Sequence, residues 1–339
     1  MKNYFLVEKM KTELKASSSY KKTFVILSVL CILFSLVCCI LGEILLPVTI
    51  ATLALIYLFD KSKKRVLSIC MSVSLVIINI AAFVFKIGVS LFSLQAIVIA
   101  LLLCVSFSKA WEKSETSYVL TLIFAAISFV SAILLGMVEQ GEFTFNAAYH
   151  FYSEMSNQLR EMFVTSGYDL YSEAFANVGV TLTHESLGAI YDSQLNMLVS
   201  YFVVASFIAV GISFKLFTIF ASRLSAYPEP FRSWRFKTSN LYAYFYVILG
   251  LISIFATTNG GVLALTVSNL YIIFMAVYVY VGINVIVSIL STRIKPFLAY
   301  VIIVVAFLAA SSLAMQILAV VGVMFTIRKN NEEKFTNEQ

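Results

Sequence analysis

Between Val66 and Ser108 the chain carries a single charged residue, Lys86. A hydrocarbon core about 30 Å thick takes roughly 20 helical residues. The run therefore predicts two crossings joined by a tight turn, over 66–85 and 90–108. A water-soluble core would not hide such a stretch, and the rest of the chain repeats the pattern. Of 339 residues, 60% are hydrophobic and 12% charged, against about 25% charged in soluble domains. Mean hydropathy is +0.93. Runs this long and this apolar satisfy their backbone groups in lipid only as helices. The fold class is all-α, a polytopic transmembrane helical bundle.

Further spans are predicted at 23–42, 44–59, 117–138, 197–221, 241–258 and 262–290, with an apolar run at 297–327. The second is short and is entered through Leu45, Leu46 and Pro47. The last two runs are longer than one perpendicular helix needs. The count is eight to nine, because 297–327 is either one crossing or two short helices turning near Ser311 and Ser312. The chain then reads as an N-terminal segment (1–22), a five-span half (23–138), a polar insertion (139–196), a second membrane half (197–327) and a polar tail (328–339). Lys21 and Lys22 before an apolar run imitate a signal peptide. That run is as long as a full span and no A-x-A site follows, so an uncleaved first helix is expected.

Charge orients the bundle. The N-terminal segment holds Lys2, Lys9, Lys11, Lys15, Lys21 and Lys22, and the loop at 60–65 reads DKSKKR. Lys109 and Lys113, then Arg223, Arg232, Arg235 and Lys237, then Arg293 and Lys295 follow in every second loop. The alternate loops hold Glu43, Lys86 and an uncharged NGG. The positive-inside rule places the N-terminus and the basic loops in the cytoplasm. It also accounts for the net charge of +6 without a nucleic-acid partner. A nine-span count sends the tail outside, against Arg328 and Lys329 at the edge of the last span.

The insertion 139–196 lands outside and carries eight acids against Arg160. Phe145, Ala148, Tyr152, Met155, Leu159 and Met162 recur at spacings of three and four, one apolar stripe of a helix. A second helical stretch is predicted at 170–178. THES at 183–186 predicts a third, with Thr183 as its N-cap.

Signals for chemistry are sparse. His150 and His184 are the only histidines, and two histidines far apart make no zinc site. Cys31, Cys38, Cys39, Cys70 and Cys104 fall inside predicted spans and read as packing residues. No metal and no cofactor is predicted. P-loop, G-x-S-x-G and H-E-x-x-H motifs are absent from the sequence, as is a paired-carboxylate arrangement, so no enzyme is predicted. Lys215 lies near the inner end of its span, where it can snorkel to the interface. Asn79, Gln95, Asn269, Asn284 and Gln316 place neutral polar groups among apolar ones. Such groups either join helices or line a cavity. Tyrosines at 242–246 suit an interfacial belt. Gln95, Asn269, Tyr271, Tyr278 and Asn284 are the candidate ligand-binding residues.

The second half carries a further pattern. A span ends in KLFTIFASRLSAYPEP, FRSWRF follows, then a span, then the long helix SNLYIIFMAVYVYVGINVIVSIL, and finally LAVVGVMFTIRKN. This resembles the YybS-like family of bacterial multi-spanning membrane proteins, a domain of unknown function. The matching residues are Phe231, Trp234 and Arg235; Asn269 and Gly282; and Gly322, Phe325 and Arg328. The resemblance is best from about 200 to 330. Two departures stand out: Lys237 replaces the family's proline, and no acid follows the last glycine, where Val323 and Met324 stand. The resemblance implies a bacterial cytoplasmic-membrane protein. It also implies a core similar to the substrate-binding components of energy-coupling-factor transporters, which capture small molecules from outside. A ligand would then enter from the outer face, with 139–196 as its lid.

Two readings of function stand side by side. One is a protein of the lipid bilayer that binds a small or amphiphilic ligand between its helices, its basic loops 222–240 and 291–296 meeting a cytoplasmic coupling partner. The other is a scaffold in envelope assembly or division whose outer helices dock a partner protein.

Overall fold

The computed structural model describes residues 18–41, 45–60, 65–85, 91–109, 111–176, 181, 183–224, 236, 238–256 and 261–337. Among these the chain forms twelve helices and no strand. They are α1 (Ser18–Leu41), α2 (Leu46–Phe59), α3 (Val66–Val84), α4 (Phe92–Ser108), α5 (Lys113–Gln140), α6 (Phe145–Ala176), α7 (His184–Leu195), α8 (Leu198–Leu224), α9 (Asn240–Ala256), α10 (Gly261–Leu290), α11 (Pro296–Ala309) and α12 (Ser311–Asn337). Five stretches are long and apolar enough to cross a membrane: α3, α5, α8, α10 and residues 313–332 of α12. Apolar stretches of α1, α2, α4, α9 and α11 are shorter.

The chain divides into two compact units, Met1–Gln194 with Ala205–Arg235, and Leu195–Val204 with Phe236–Gln339. The core of the first is α2. Apolar all round, such a helix belongs inside protein rather than at a surface. Every residue from Leu46 to Phe59 except Val48 is buried. At 1.5 Å per residue its 14 residues span about 21 Å, short of the hydrocarbon thickness. Pro47 starts it, where a missing N–H costs nothing. Thr52 donates back to Val48 O at 2.9 Å, so its hydroxyl is satisfied within the helix. α1, α3 and α4 pack around it, and Val210, Phe214, Phe217 and Ala221 of α8 join the same core. Asp60 then caps α3, accepting from Ser68 N at 2.8 Å and Ser68 Oγ at 2.7 Å.

Gly141 ends α5 in the left-handed region, φ +73°, the usual conformation past a helix C-terminus. Thr144 accepts from Ala147 N at 3.1 Å and starts α6. α6 returns along α5. A Cβ on Gly136 would sit 3.0 Å from Ala148 Cα, and Tyr152 Oη donates to Ala132 O at 2.6 Å. Burial of its ring pushes the Tyr152 hydroxyl above the ordinary tyrosine value. Farther on, α6 packs on α7. Tyr191 Oη donates to Ser156 O at 3.1 Å, and Arg160 pairs with Asp192 at 3.0 Å while lying over Gly188. The carboxylate holds the Arg160 guanidinium above its usual value.

Of the three helical stretches predicted in 139–196, the first two form one helix, α6, and the third forms α7. The stripe from Phe145 to Met162 is helical but only part of it is covered: Ala148 is buried, whereas Phe145 and Met162 are exposed. The stretch expected at 170–178 is the end of α6 as far as Ala176; positions 177 and 178 lie outside the described residues. Thr183 caps α7 as its sequence predicts. Ser186 N donates to Thr183 Oγ1 at 3.1 Å, and Thr183 N donates to Ser186 Oγ at 3.0 Å, a reciprocal capping pair.

In the second unit, α9 and α12 pack against α10. The apolar run at 297–327 is broken at Ala310 (φ −153°, ψ 64°), close to the turn expected at Ser311 and Ser312. Ala314 N already donates to Ala310 O at 2.8 Å, so α12 follows without a loop. α12 is not short. It runs on to Asn337 and takes most of the expected polar tail into the helix. α10 and α12 meet at glycines. A Cβ on Gly282 would strike the Leu318 carbonyl, and one on Gly322 the Tyr278 carbonyl. Close backbone approach through small residues is how helices associate in lipid, where apolar transfer gives no driving force between them.

Candidate functional site in the helix bundle

The five candidate ligand residues fall in different units: Gln95 in the first, the other four in the second. Gln95 lies on α4, fully buried. Its Nε2 donates to Ser128 Oγ of α5 at 2.6 Å. Its Oε1 is buried and has no hydrogen-bond partner among the described residues. Several other polar groups of α3, α4 and α5 are engaged, although Ser106 Oγ of α4 is also buried without a partner among the described residues. Ser93 Oγ donates to Asn79 Oδ1 at 2.7 Å, and Leu91 N to Ser131 Oγ at 2.9 Å. The first of these satisfies a side chain, the second an orphan donor at the start of α4. Beside these bonded groups, the Gln95 carbonyl keeps an unused acceptor.

Asn269, on α10, uses its whole carboxamide inside the protein. Nδ2 donates to Asn196 O at 3.1 Å and Leu265 O at 2.9 Å. Oδ1 accepts from Ser200 N at 3.3 Å and from the Ser200 hydroxyl. It fastens the start of α8 to α10, the joining role open to such a residue from sequence. Tyr271 stacks on Tyr246 of α9, centroids 5.2 Å apart at 7°. Gly250 leaves room for that ring, since a Cβ there would lie 3.2 Å from it. Tyr278 is fully buried, its ring 5.2 Å from that of Tyr246. Tyr246 is therefore a core residue, not part of an interfacial belt; Tyr242 and Tyr244 are exposed. Asn284 is exposed and donates to Tyr280 O of its own helix at 2.8 Å. Asn269, Tyr271 and Tyr278 build the packing of α8, α9 and α10, and Asn284 takes no part in it.

Of the motif residues, Gly282 and Gly322 come together at the α10–α12 contact. Arg328 pairs with Glu332 one turn on, at 2.8 Å, in an exposed position. Phe325 is partly exposed. Phe231, Trp234 and Arg235 lie outside the described residues. Sequence reasoning missed the residues just after them. Thr238 and Thr326 share a buried hydrogen bond of 2.9 Å. Asn330 Nδ2 donates to Thr238 O and to Asn240 Oδ1, each at 2.9 Å. The signal was faint: TSN at 238–240 and RKNN at 328–331 look like solvated ends, and nothing local says that they meet. Likewise Ser128 and Ser131 share a face of α5 by their spacing of three, which only a partner helix makes meaningful.

Among the described residues no three His, Cys, Asp or Glu side chains gather to hold a metal. His184 packs edge-on against Tyr168, centroids 4.4 Å apart, and His150 against Tyr149. Cys31, Cys38 and Cys104 are buried thiols, and Cys70 is exposed.

No curated protein matches the chain, and no solved structure does. A family model described as "Predicted membrane protein (DUF2232)" matches residues 23–324. That range takes in the helices from α1 onward, well beyond the second half in which a resemblance is visible by eye. The chain belongs to this family of predicted membrane proteins.

Proposed function

We propose that this is a multi-pass protein of a bacterial cytoplasmic membrane that binds a small, uncharged ligand between its helices, without catalysis of its own. The observation that carries the reading is the Gln95 carbonyl oxygen, fully buried and unused. A buried acceptor left unpaired costs about 1–3 kcal/mol, and lipid offers no donor. A ligand with a hydrogen-bond donor removes that cost. Its bonded partner Ser128, and the other polar side chains bonded between the same helices, Asn79, Ser93 and Ser131, are all neutral, which favours a neutral ligand over an ion. The YybS-like resemblance and its transporter-component core agree with this reading. The test is a thermal-stability screen of the purified full chain in detergent, over vitamins, nucleobases, amino acids and lipids. At least one compound is expected to raise the melting temperature of the wild type and to lose that effect in Gln95→Met, which keeps the volume and removes the amide. A screen with no stabilising compound, or an equal shift in the variant, rejects it.

The proposed topology has eight or nine crossings, with the N-terminus and basic loops inside. Cysteines placed at 150 and 230, in a chain whose native cysteines are replaced, are expected to label differently in intact cells: 150 accessible, 230 protected. Equal labelling of both overturns the orientation. A cysteine at 335 distinguishes the counts, since only an odd number of crossings exposes it.

A second reading, a scaffold that docks a partner protein, is favoured by the outer hairpin. Arg160 is held by Asp192, while Glu154, Glu161, Asp169 and Glu185 are exposed. That acidic face suits a basic partner. Loss of co-purifying proteins on deleting 143–192 supports this reading; an unchanged set opposes it.

A further inference from the structure

α6 has two long faces of different character. Ser156, Arg160 and Gly167 face α7, and the buried Val164 shares their stripe by its spacing: Ser156 bonds to Tyr191, Arg160 to Asp192, and Leu187 lies 3.5 Å from where a Cβ on Gly167 would stand. At 100° per residue, Met155, Leu159, Met162 and Leu170 fall on a separate stripe. All four are exposed, Met162 at 65% and Leu170 at 70%. Phe143, Phe145 and Tyr149, at the start of the helix, are more than 70% exposed. The base of the same helix is tied to α5, a helix apolar and long enough to cross a membrane. Tyr152 bonds to Ala132 and Ala148 packs on Gly136. The first turns of α6 thus lie beside the last turns of α5.

We infer that α6 lies on the bilayer surface at the C-terminal end of α5, its Met155–Leu159–Met162–Leu170 stripe in the boundary between headgroups and acyl chains. Aromatic side chains at its start suit that depth. Interfacial helices usually flank such a stripe with Lys and Arg, which attract anionic lipids. α6 does the reverse. Glu154, Glu161 and Asp169 stand exposed beside it, and its one arginine is engaged by Asp192. The surface it fits is a leaflet of neutral or zwitterionic headgroups, and anionic lipid weakens the contact. The inference stands apart from any ligand at Gln95.

The full chain, with native cysteines replaced, is reconstituted in phosphatidylcholine nanodiscs and carries a bimane label at Leu159→Cys, Met162→Cys or Asn157→Cys. These positions are exposed, so the labels leave the packing intact. Quenching by doxyl lipids is expected to be several-fold stronger at 159 and 162 than at 157, with aqueous iodide giving the opposite order. Replacing half of the lipid by phosphatidylglycerol is expected to reduce the doxyl quenching at 162. Equal iodide quenching at 162 and 157 overturns the inference, because the stripe then faces water. Protection of 162 from both quenchers overturns it in favour of a protein contact. Unchanged doxyl quenching with phosphatidylglycerol overturns the charge preference.

Discussion

Gly322→Ala is expected to lower the melting temperature sharply and to reduce the yield of folded protein in detergent. Its new Cβ would fall on the Tyr278 carbonyl and within 3.0 Å of Gly282 N. Both are backbone atoms of α10, so relief requires the helices to part. Overpacking costs about 1–3 kcal/mol and occasionally more; a clash between two backbones belongs at the upper end, about 3 kcal/mol. The sign is informative, because in a helix without such a contact Gly→Ala is favourable by about 1 kcal/mol. Gly282→Ala is expected to behave alike, since its Cβ would meet Leu318 backbone. Gly250→Ala is the control. Its Cβ would approach only the Tyr271 ring, at 3.2 Å, and a side chain can shift. A Gly322→Ala protein that melts at or above the wild-type temperature would show that α10 and α12 do not approach so closely.

These glycines also mark how far the sequence could be read. Gly282 and Gly322 stood out only through a resemblance, some forty positions apart, and neither flank says that they touch. Pairing of this kind is a property of two helices and leaves no local trace. Thr183 differs: a cap acts within one turn, so THES gave both the start of α7 and the residue that fixes it. The apolar runs gave helices for the same reason, since hydropathy is local. α2 shows the limit. Fourteen residues, apolar but for Thr49 and Thr52, read alike whether lipid or protein surrounds them, and only the packing of α1, α3 and α4 shows that it is protein. The stripe of α6 was legible as periodicity, but the face that α7 covers is Ser156–Arg160–Val164–Gly167, a set containing one large apolar residue. Gln95 was singled out as a polar residue in an apolar run. Its unused acceptor depends on Ser128, which sequence spacing alone does not connect to it.

Asn269 carries the other large expected effect. The first N–H groups of α8 have no partner within their own helix, and Asn269 supplies one from α10 by accepting from Ser200 N at 3.3 Å. The Ser200 hydroxyl, fully buried, also donates to the Asn269 carbonyl at 3.1 Å. Asn269→Leu keeps the size and removes the carboxamide, leaving the buried Ser200 amide without its acceptor and the exposed Asn196 O without its donor. A buried polar group so abandoned costs about 1–3 kcal/mol, while single side-chain bonds between membrane helices average about 0.6 kcal/mol. Two to three lost bonds therefore predict a destabilisation of about 2–3 kcal/mol, read as a lower midpoint in thermal unfolding. Asn284→Leu is the comparison. Asn284 is exposed and bonds only to its own helix, so its loss is expected to stay within about 0.5 kcal/mol. The pair separates two roles that look alike in sequence. If Asn269 served a ligand instead, Asn269→Leu would melt with the wild type and lose only the shift that a ligand produces. A midpoint within about 0.5 kcal/mol of wild type would remove Asn269 as the fastening between α8 and α10.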